Sequence, residues 1–546
     1  MSMSHWRPLL SALSISLLAG LTVSCVPATK TTPAPTLEIA AIAVPAINHP
    51  GGETPQWWYL SGAAKAAGNG AMRGKAKNVI LFLGDGMSIP TVTAARILAG
   101  QREGQSGEEA LLAWEHFPHT ALSRTYTTDA QTPDSAGTMT AIATGVKTHS
   151  GAIGVSAGNR QDCTDGFGKE VQSWLRLASD ADMASGIIST TRLTHATPAA
   201  MYAHSSNRNW ERDSQLPAGA AAAGCRDIAQ QLLDFEPARA PMVLLGGGRR
   251  EFLPVTQTDP EYPDKTGLRQ DGRDLTAEWK ARHPNGAVVW NTGQLRAAGP
   301  GPLLGLFEPD HMQYDYDRNR RADGEPELAE LTRAAISRLA QHPGGYVLMV
   351  EGGRIDHAHH ESNAFRALDE TIAMSRAVAV AAEMTSADDT LIIVTADHSH
   401  TLNFAGYPVR GNPILDKVRK ASGKATDYAR DINSLPYTTL SYANGPGHLD
   451  TRPDLSNVDT EHPDYLQEAL IPLQSETHGG DDVGVWARGP GSEAMRGSIE
   501  QHVIYHVIVQ ATPKLRQQLC LQGGCNTDGV PVSLPVFSHP GLSKRN

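Results

Sequence analysis

Three short apolar runs in this sequence each lead into a carboxylate. Residues 78–83 run into Gly84-Asp85-Gly86, residues 346–350 into Glu351-Gly352-Gly353, and residues 391–395 through Ala396 into Asp397-His398. Runs that are apolar at every position suit interior strands of a parallel sheet, and ligands of such sheets bind beyond the carboxyl ends of the strands. One acid at a strand end is ordinarily a helix cap. Three converging on a single patch would repel one another, so the pattern predicts cations among them. Histidine placement narrows the cation. Asp397 and His398 offer an oxygen and a nitrogen side by side, and Asp356 and His360 stand four apart, on one face of a helical turn. His478, in Glu476-Thr477-His478-Gly479-Gly480, precedes another apolar run at 483–487. Mixed imidazole and carboxylate ligands suit zinc better than magnesium or calcium. His49, His116, His119 and His400 read as structural. His357 and His359 could be ligands or supports for ligands, although their spacing turns them away from Asp356.

The candidate nucleophile is Ser135, in Thr132-Pro133-Asp134-Ser135-Ala136-Gly137-Thr138. The small residues that follow, 136–144, read as a helix, which puts Ser135 at a helix N-terminus, where backbone amides and the dipole favour anions. A serine there is commonly only a cap. The sequence has no G-x-S-x-G elbow, so an active Ser135 would be activated by metal rather than by a histidine base.

The elements that must position these groups follow an alternating pattern. Further strand-like runs lie at 186–189 and 242–245, and helical stretches at 91–98, 327–340 and 364–384. The alternation predicts one large α/β domain over 53–546. Between 401 and 475, Pro, Gly, Asn and Tyr are frequent and no strong helix appears. The α/β pattern then resumes, so 401–475 reads as an insertion over one end of the sheet.

The 546 residues are 40% hydrophobic and 19% charged, an ordinary globular balance. A formal net charge of -11 argues against nucleic-acid binding, which needs basic patches, but not against a small phosphate ester held by local cations. Residues 1–25 read as an export signal, with His5 and Arg7 before an apolar run at 9–23 that is too short to span a membrane. Ser24-Cys25 then offers a lipidation site at Cys25. Thr22 stands where a lipobox usually carries Leu, which leaves ordinary cleavage open. Residues 26–52, rich in Ala, Pro and Thr, read as a flexible tether. The expected location is the periplasm or cell envelope, with membrane contact only through a lipid on Cys25; secretion is the alternative. Four further cysteines fit an oxidising compartment. Cys520 and Cys525 can close a local loop, leaving Cys163 for Cys225; four buried free thiols are the alternative.

The motifs 83–87 (LGDGM), 133–138 (PDSAGT), 350–357 (VEGGRIDH) and 395–399 (TADHS) resemble the signatures of the alkaline phosphatases, in the same order and at similar intervals. The segments 194–198 (THATP) and 207–210 (NRNW) extend the resemblance and look closer to the animal-type enzymes. It covers about residues 57–525. The resemblance implies a three-layer α/β sandwich, with a large, mostly parallel central sheet flanked by helices and 401–475 as a crown-like subdomain. It implies one zinc held by Asp356, His360 and His478, and a second held by Asp85, Asp397 and His398 with Ser135. A magnesium would use Asp85, Thr197 and Glu351, with His195 nearby, and Arg208 would clamp two phosphate oxygens. Asp85, Glu351, Asp356 and Asp397 bring four negative charges against six from three divalent ions. That surplus, with Arg208, suits a phosphate dianion.

The implied activity is hydrolysis of small phosphate monoesters in two displacements through a phosphoserine. Weaker parts of the resemblance imply a calcium site at Glu261, the Phe307 carbonyl, Glu308 and Asp323, disulfides Cys163–Cys225 and Cys520–Cys525, and a homodimer reached by Tyr407. Two rival readings remain. A phosphodiesterase of the same superfamily needs less positive charge than Arg208 and the Glu351 site provide. A non-catalytic surface binder of phosphate or metal would be expected to have lost a ligand or the nucleophile, and every position is filled.

Overall fold

The computed structural model of the protein describes residues 39–537 apart from 423, 425 and 426. The expected export signal, Cys25 and the first part of the tether lie outside the described residues. Ten strands form one sheet in the order β15 (Gly497–Glu500), β2 (His119–Arg124), β14 (Val483–Arg488), β8 (Thr390–Ala396), β1 (Asn78–Gly84), β7 (Tyr346–Gly352), β3 (Ala184–Arg192), β4 (Val243–Gly247), β6 (Leu303–Leu306) and β5 (Ala287–Val289). Every pairing is parallel except those of β14, which runs against both β8 and β2. The sheet is therefore mostly parallel.

β1, β7 and β8 are buried along their whole lengths, because helices cover both faces. Val79, Leu81 and Leu83 of β1 point into one core with helices α1 (Pro55–Gly68), α3 (Ser135–Thr144) and α7 (Val503–Ala511). Ile80 and Phe82 point into the other, with α2 (Ile89–Arg102), α4 (Leu328–Leu339) and α6 (Ala364–Met384). The period of two along one strand thus feeds both layers, and the result is a three-layer sandwich. Strands β2, β5 and β15 carry no long apolar run, because they lie at or beside the edges of the sheet, whereas the short β6 is buried throughout. In β2, Ala121 and Ser123 are buried while their neighbours are more exposed.

The insertion expected at 401–475 holds a small sheet of β10 (Leu402–Phe404), β11 (Leu440–Gly445) and β12 (Ala469–Pro472). Just outside it, β9 (Ser399–His400) pairs antiparallel with β13 (His478–Gly479), so that His478 faces His400 across the ladder. Both disulfides form, Cys163–Cys225 and Cys520–Cys525. The described part of the tether does not stand free of the domain. Ile39 and Ile42 pack against Ala67, Met72 and Val530, and Trp57 Nε1 donates to Pro45 O at 2.8 Å. Among the described residues, no helix is long and apolar enough to cross a membrane.

Helix α6 carries a carboxyl into the core. Glu370 is buried, and its Oε1 accepts from the Asp315 N–H at 2.5 Å. Desolvation pushes this carboxyl up to about 8. Between about 4.5 and about 8 the folded chain therefore holds a proton that the unfolded chain has released, so this group makes stability fall as pH rises through that window. Glu370→Gln keeps the acceptor and removes the titration. We expect the variant to resist urea better than the parent at pH 9 and to lose that advantage at pH 5. An equal difference at both pH values would contradict the assignment.

Candidate metal centre

The three acid-bearing strands are neighbours, in the order β8–β1–β7. Leu83 is in register with both Glu351 and Thr395, so Asp85, Glu351 and Asp397 emerge together at the carboxyl edge of the sheet's middle. The turn after β1 approaches the other ligands closely. Gly86 has φ +67°, and a Cβ there would sit 2.3 Å from His400 Cδ2 and 3.4 Å from Asp356 Cα, so only glycine fits. α5 (Arg354–His360) begins two residues past β7 and carries Asp356 and His360 four apart.

The carboxylates crowd one another. Burial, followed by the charges of Asp397, Asp356 and Glu351, drives the Asp85 carboxyl far above its ordinary value. Asp397 is also raised, first by burial, and burial lifts Glu351 to about 7. Asp356 behaves oppositely. Despite its burial, the imidazoles of His360, His400 and His478 hold it well below the carboxylate range.

Imidazole orientation shows what the cluster lacks. His360 Nδ1 donates to Glu476 O at 2.5 Å, and His478 Nδ1 donates to Pro133 O at 2.8 Å. Those bonds fix the tautomers, leaving both Nε2 atoms as lone pairs. The two Nε2 atoms lie 3.2 Å apart, and each is 3.4 Å from Asp356 Oδ1. Two lone pairs and a carboxylate oxygen aimed at one point form a donor set able to hold a cation. His398 is placed similarly, with Nδ1 3.3 Å from Ser399 O and Nε2 3.4 Å from Asp85 Oδ1 and 3.3 Å from Asp397 Oδ2.

A third group brings ligand atoms of Asp85, His195 and Glu351 within 4.8 Å of one another. Glu351 Oε2 accepts from Ser189 Oγ and from Thr191 Oγ1. Its Oε1 and His195 Nδ1 are buried without hydrogen-bond partners, and the Thr197 hydroxyl lies close enough to act on the Glu351 carboxyl. Buried polar atoms are rarely left so, and these orphans fit a further cation. The residues expected as metal ligands are thus brought together, and their donor set fits divalent ions.

Ser135 stands against this centre as the first residue of α3. The cap is Asp134, whose side chain accepts from the Gly137 N–H, so Ser135 is free of that duty. Its Oγ lies 3.1 Å from His398 Nε2 and 3.4 Å from Asp85 Oδ1. Asp134 also fixes Arg208, which donates from Nη1 to Asp134 Oδ2 at 3.0 Å, while Nη2 lies 3.0 Å from His195 Nε2. Burial, then the charges of Arg208 and Arg192, holds His195 neutral by lowering its pKa.

His400, read from the sequence as structural, belongs to the centre. Its Nδ1 lies 2.5 Å from Glu476 Oε2 and its Nε2 2.7 Å from Asp356 Oδ1. Against the cost of burial, these two carboxylates raise it to about 10, so it is an imidazolium that donates to both and orients Asp356. The signal in the sequence was its spacing, since His398 and His400 are two apart and share a face in an extended segment. His359 faces Thr91 and Tyr442 instead, and His357 lies against Arg354.

The expected calcium residues are only partly assembled. Glu261 Oε2 accepts from Arg249 Nη1 at 3.0 Å, and Glu308 Oε1 accepts from Tyr262 OH at 2.6 Å. Phe307, next to Glu308 in the chain and just past β6, is buried. Asp323 does not join them. It sits on an exposed turn, within 3.4 Å of Arg321 Nε and Asn319 Nδ2. The carboxyl against Glu308 is the buried Glu325, which burial and then Glu308 raise to about 10. Tyr407 is 94% exposed.

The family model described as alkaline phosphatase matches residues 76–513. The chain is 48% identical to the tissue-nonspecific isozyme of alkaline phosphatase from Gallus gallus over 449 residues, covering 80% of this chain and 84% of that protein. It is 47% identical to the alkaline phosphatase of Gadus morhua over 451 residues, covering 80% and 92%. Among solved structures, the alkaline phosphatase of Thermus thermophilus superposes with a TM-score of 0.58 at 25% identity, covering 81% of this chain and 92% of that one.

Removing the imidazolium that orients Asp356 should loosen the cation site. We expect His400→Ala to bind divalent metal about 10- to 100-fold more weakly than the parent, the usual effect of losing a partner behind a ligand, as read by competition with a chromogenic chelator. Unchanged affinity would show that His400 is only packing.

Proposed function

Because the chain belongs to the alkaline phosphatase family, and so is a phosphate monoester hydrolase, we propose that it acts through a phosphoserine on Ser135 with two zinc ions and one magnesium. The observation that carries this reading is the convergence of the His360 and His478 Nε2 lone pairs with Asp356 Oδ1, beside a buried serine at a helix N-terminus. One zinc would be held by Asp356, His360 and His478, and the other by Asp85, Asp397 and His398. The magnesium would be held by Asp85, Thr197 and Glu351. When bound, these ions supply Lewis acidity and positive charge, which make a hydroxyl acidic and stabilise charge on the apical oxygens.

The chain's own residues do the rest. Asp134 caps α3, so the helix N-terminus that carries Ser135 is fixed and its amides favour the incoming dianion. Arg208, held by Asp134 and His195, is preorganised to clamp two phosphate oxygens in a bidentate fork. With the phosphoryl group so oriented, Ser135 Oγ attacks phosphorus in line as the ester oxygen departs on the opposite side. Water then attacks the phosphoserine from the vacated side and releases phosphate. Positioning and preorganised charge supply most of the acceleration in phosphoryl transfer.

The remaining features extend the same reading. Residues 1–25 serve export to the periplasm or cell envelope, with Cys25 carrying a lipid and 26–52 leading to the enzyme domain. Two copies pair through the crown at 401–475, where the exposed Tyr407 reaches the partner. A calcium is held by Glu261, Glu308 and the Phe307 carbonyl, with Glu325 in the place of Asp323.

Purified protein should release nitrophenol from p-nitrophenyl phosphate at alkaline pH and lose that activity on incubation with a chelator. Ser135→Ala should reduce turnover at least about a thousand-fold. Parental turnover in that variant would end the nucleophile assignment.

A further inference from the structure

A cavity of about 600 Å³ opens on His360 and is lined on one side by Arg354 and His357. That volume suits a small-molecule group. Ser135 makes its contacts with Asp85 and His398, whereas the cavity meets the centre at His360. It therefore lies where the departing part of a substrate, rather than the nucleophile, must be accommodated.

The charges on its walls are unequal in their freedom. Arg354 stacks on the Tyr314 ring, with Cζ 3.9 Å from the centroid, and its Nη1 lies 2.7 Å from His357 Nδ1. These contacts hold the guanidinium in place without neutralising it. Its Nε is buried and makes no hydrogen bond, and among the described residues Arg354 forms no ion pair with a carboxylate. Glu361 is the one carboxylate among the lining residues. Pro446 and Leu466 supply an apolar wall. A fixed guanidinium with no carboxylate in direct contact, beside an apolar wall, is a recognition element for an anionic group on a carbon skeleton.

Resting on the hydrolase reading above, we propose that this cavity is a leaving-group subsite selecting monoesters whose alcohol bears its own carboxylate or phosphate, with Arg354 as the attracting residue and Glu361 as its opponent. Selectivity then comes from the difference between these two side chains. Removing the guanidinium and removing the carboxylate must shift preference in opposite directions, a pattern that general damage to the fold does not produce.

Glycerate 2-phosphate and glycerol 2-phosphate make a matched pair, because a carboxylate replaces a hydroxymethyl group on the same carbon. The measurement is the ratio of their kcat/KM values with the metal-loaded enzyme. Arg354→Gln should lower that ratio about ten-fold, chiefly through KM for the glycerate ester, the order expected for one charge-assisted hydrogen bond. Arg354→Lys should restore much of it, and Glu361→Gln should raise it. A ratio in Arg354→Gln within about two-fold of the parent would overturn the subsite. If Arg354→Gln does not fold, Glu361→Gln decides the matter, and the absence of a rise there overturns the proposal. A parent enzyme that hydrolyses neither ester would instead overturn the function on which the subsite rests.

Discussion

Four carboxylates confined to one buried patch cannot all be ionised unless positive charge joins them. Asp85, Glu351, Asp356 and Asp397 are each almost wholly excluded from water, where the cost of an isolated charge is several kcal/mol or more. Without cations, three of the four are driven toward the protonated form. Only Asp356, ringed by imidazoles, stays ionised. This concentration of unmet charge is the constraint to which the rest of the molecule answers. It explains why His360 and His478 turn their Nδ1 atoms to backbone carbonyls, and why Glu351 and His195 are each left with a buried atom that bonds nothing.

The scaffold serves that constraint by burial. A strand apolar on both faces can sit only in the interior of a covered sheet, and the acids follow such strands directly. β1, β7 and β8 are adjacent, so their ends meet without any long loop. Histidines then arrive from elements far apart in sequence, His360 from α5 and His400 and His478 from the β9–β13 ladder. Ser135 comes from a fourth direction, on a helix whose cap is a neighbouring residue. Because each ligand is tied to a regular element, the geometry is set before any substrate binds, which is what electrostatic catalysis requires.

What the sequence made legible follows from the same physics. The central strands were readable because burial on both faces leaves an unbroken apolar run. Strands near one end of the sheet, β2 and the edge strand β15, were not, since one exposed face breaks the run into alternation too short to distinguish from a loop. Asp85 and Glu351 were readable because glycines stand beside them, and Asp397 because a histidine follows it directly. His400 left only its spacing from His398 as a signal, because the carboxylate that completes its role, Glu476, is 76 residues away in sequence. Asp323, which only the resemblance implies as a ligand, stands on an exposed turn beside Arg321, and the buried carboxyl against Glu308 is Glu325.

Anomalous diffraction from crystals of the intact protein, recorded on both sides of the zinc edge, would test the charge balance most directly. Zinc-specific peaks among Asp356, His360 and His478 and among Asp85, Asp397 and His398, with a lighter ion beside Glu351 and Thr197, are the expected result. Continuous density for direct hydrogen bonds among those side chains, with no ion between them, would contradict it.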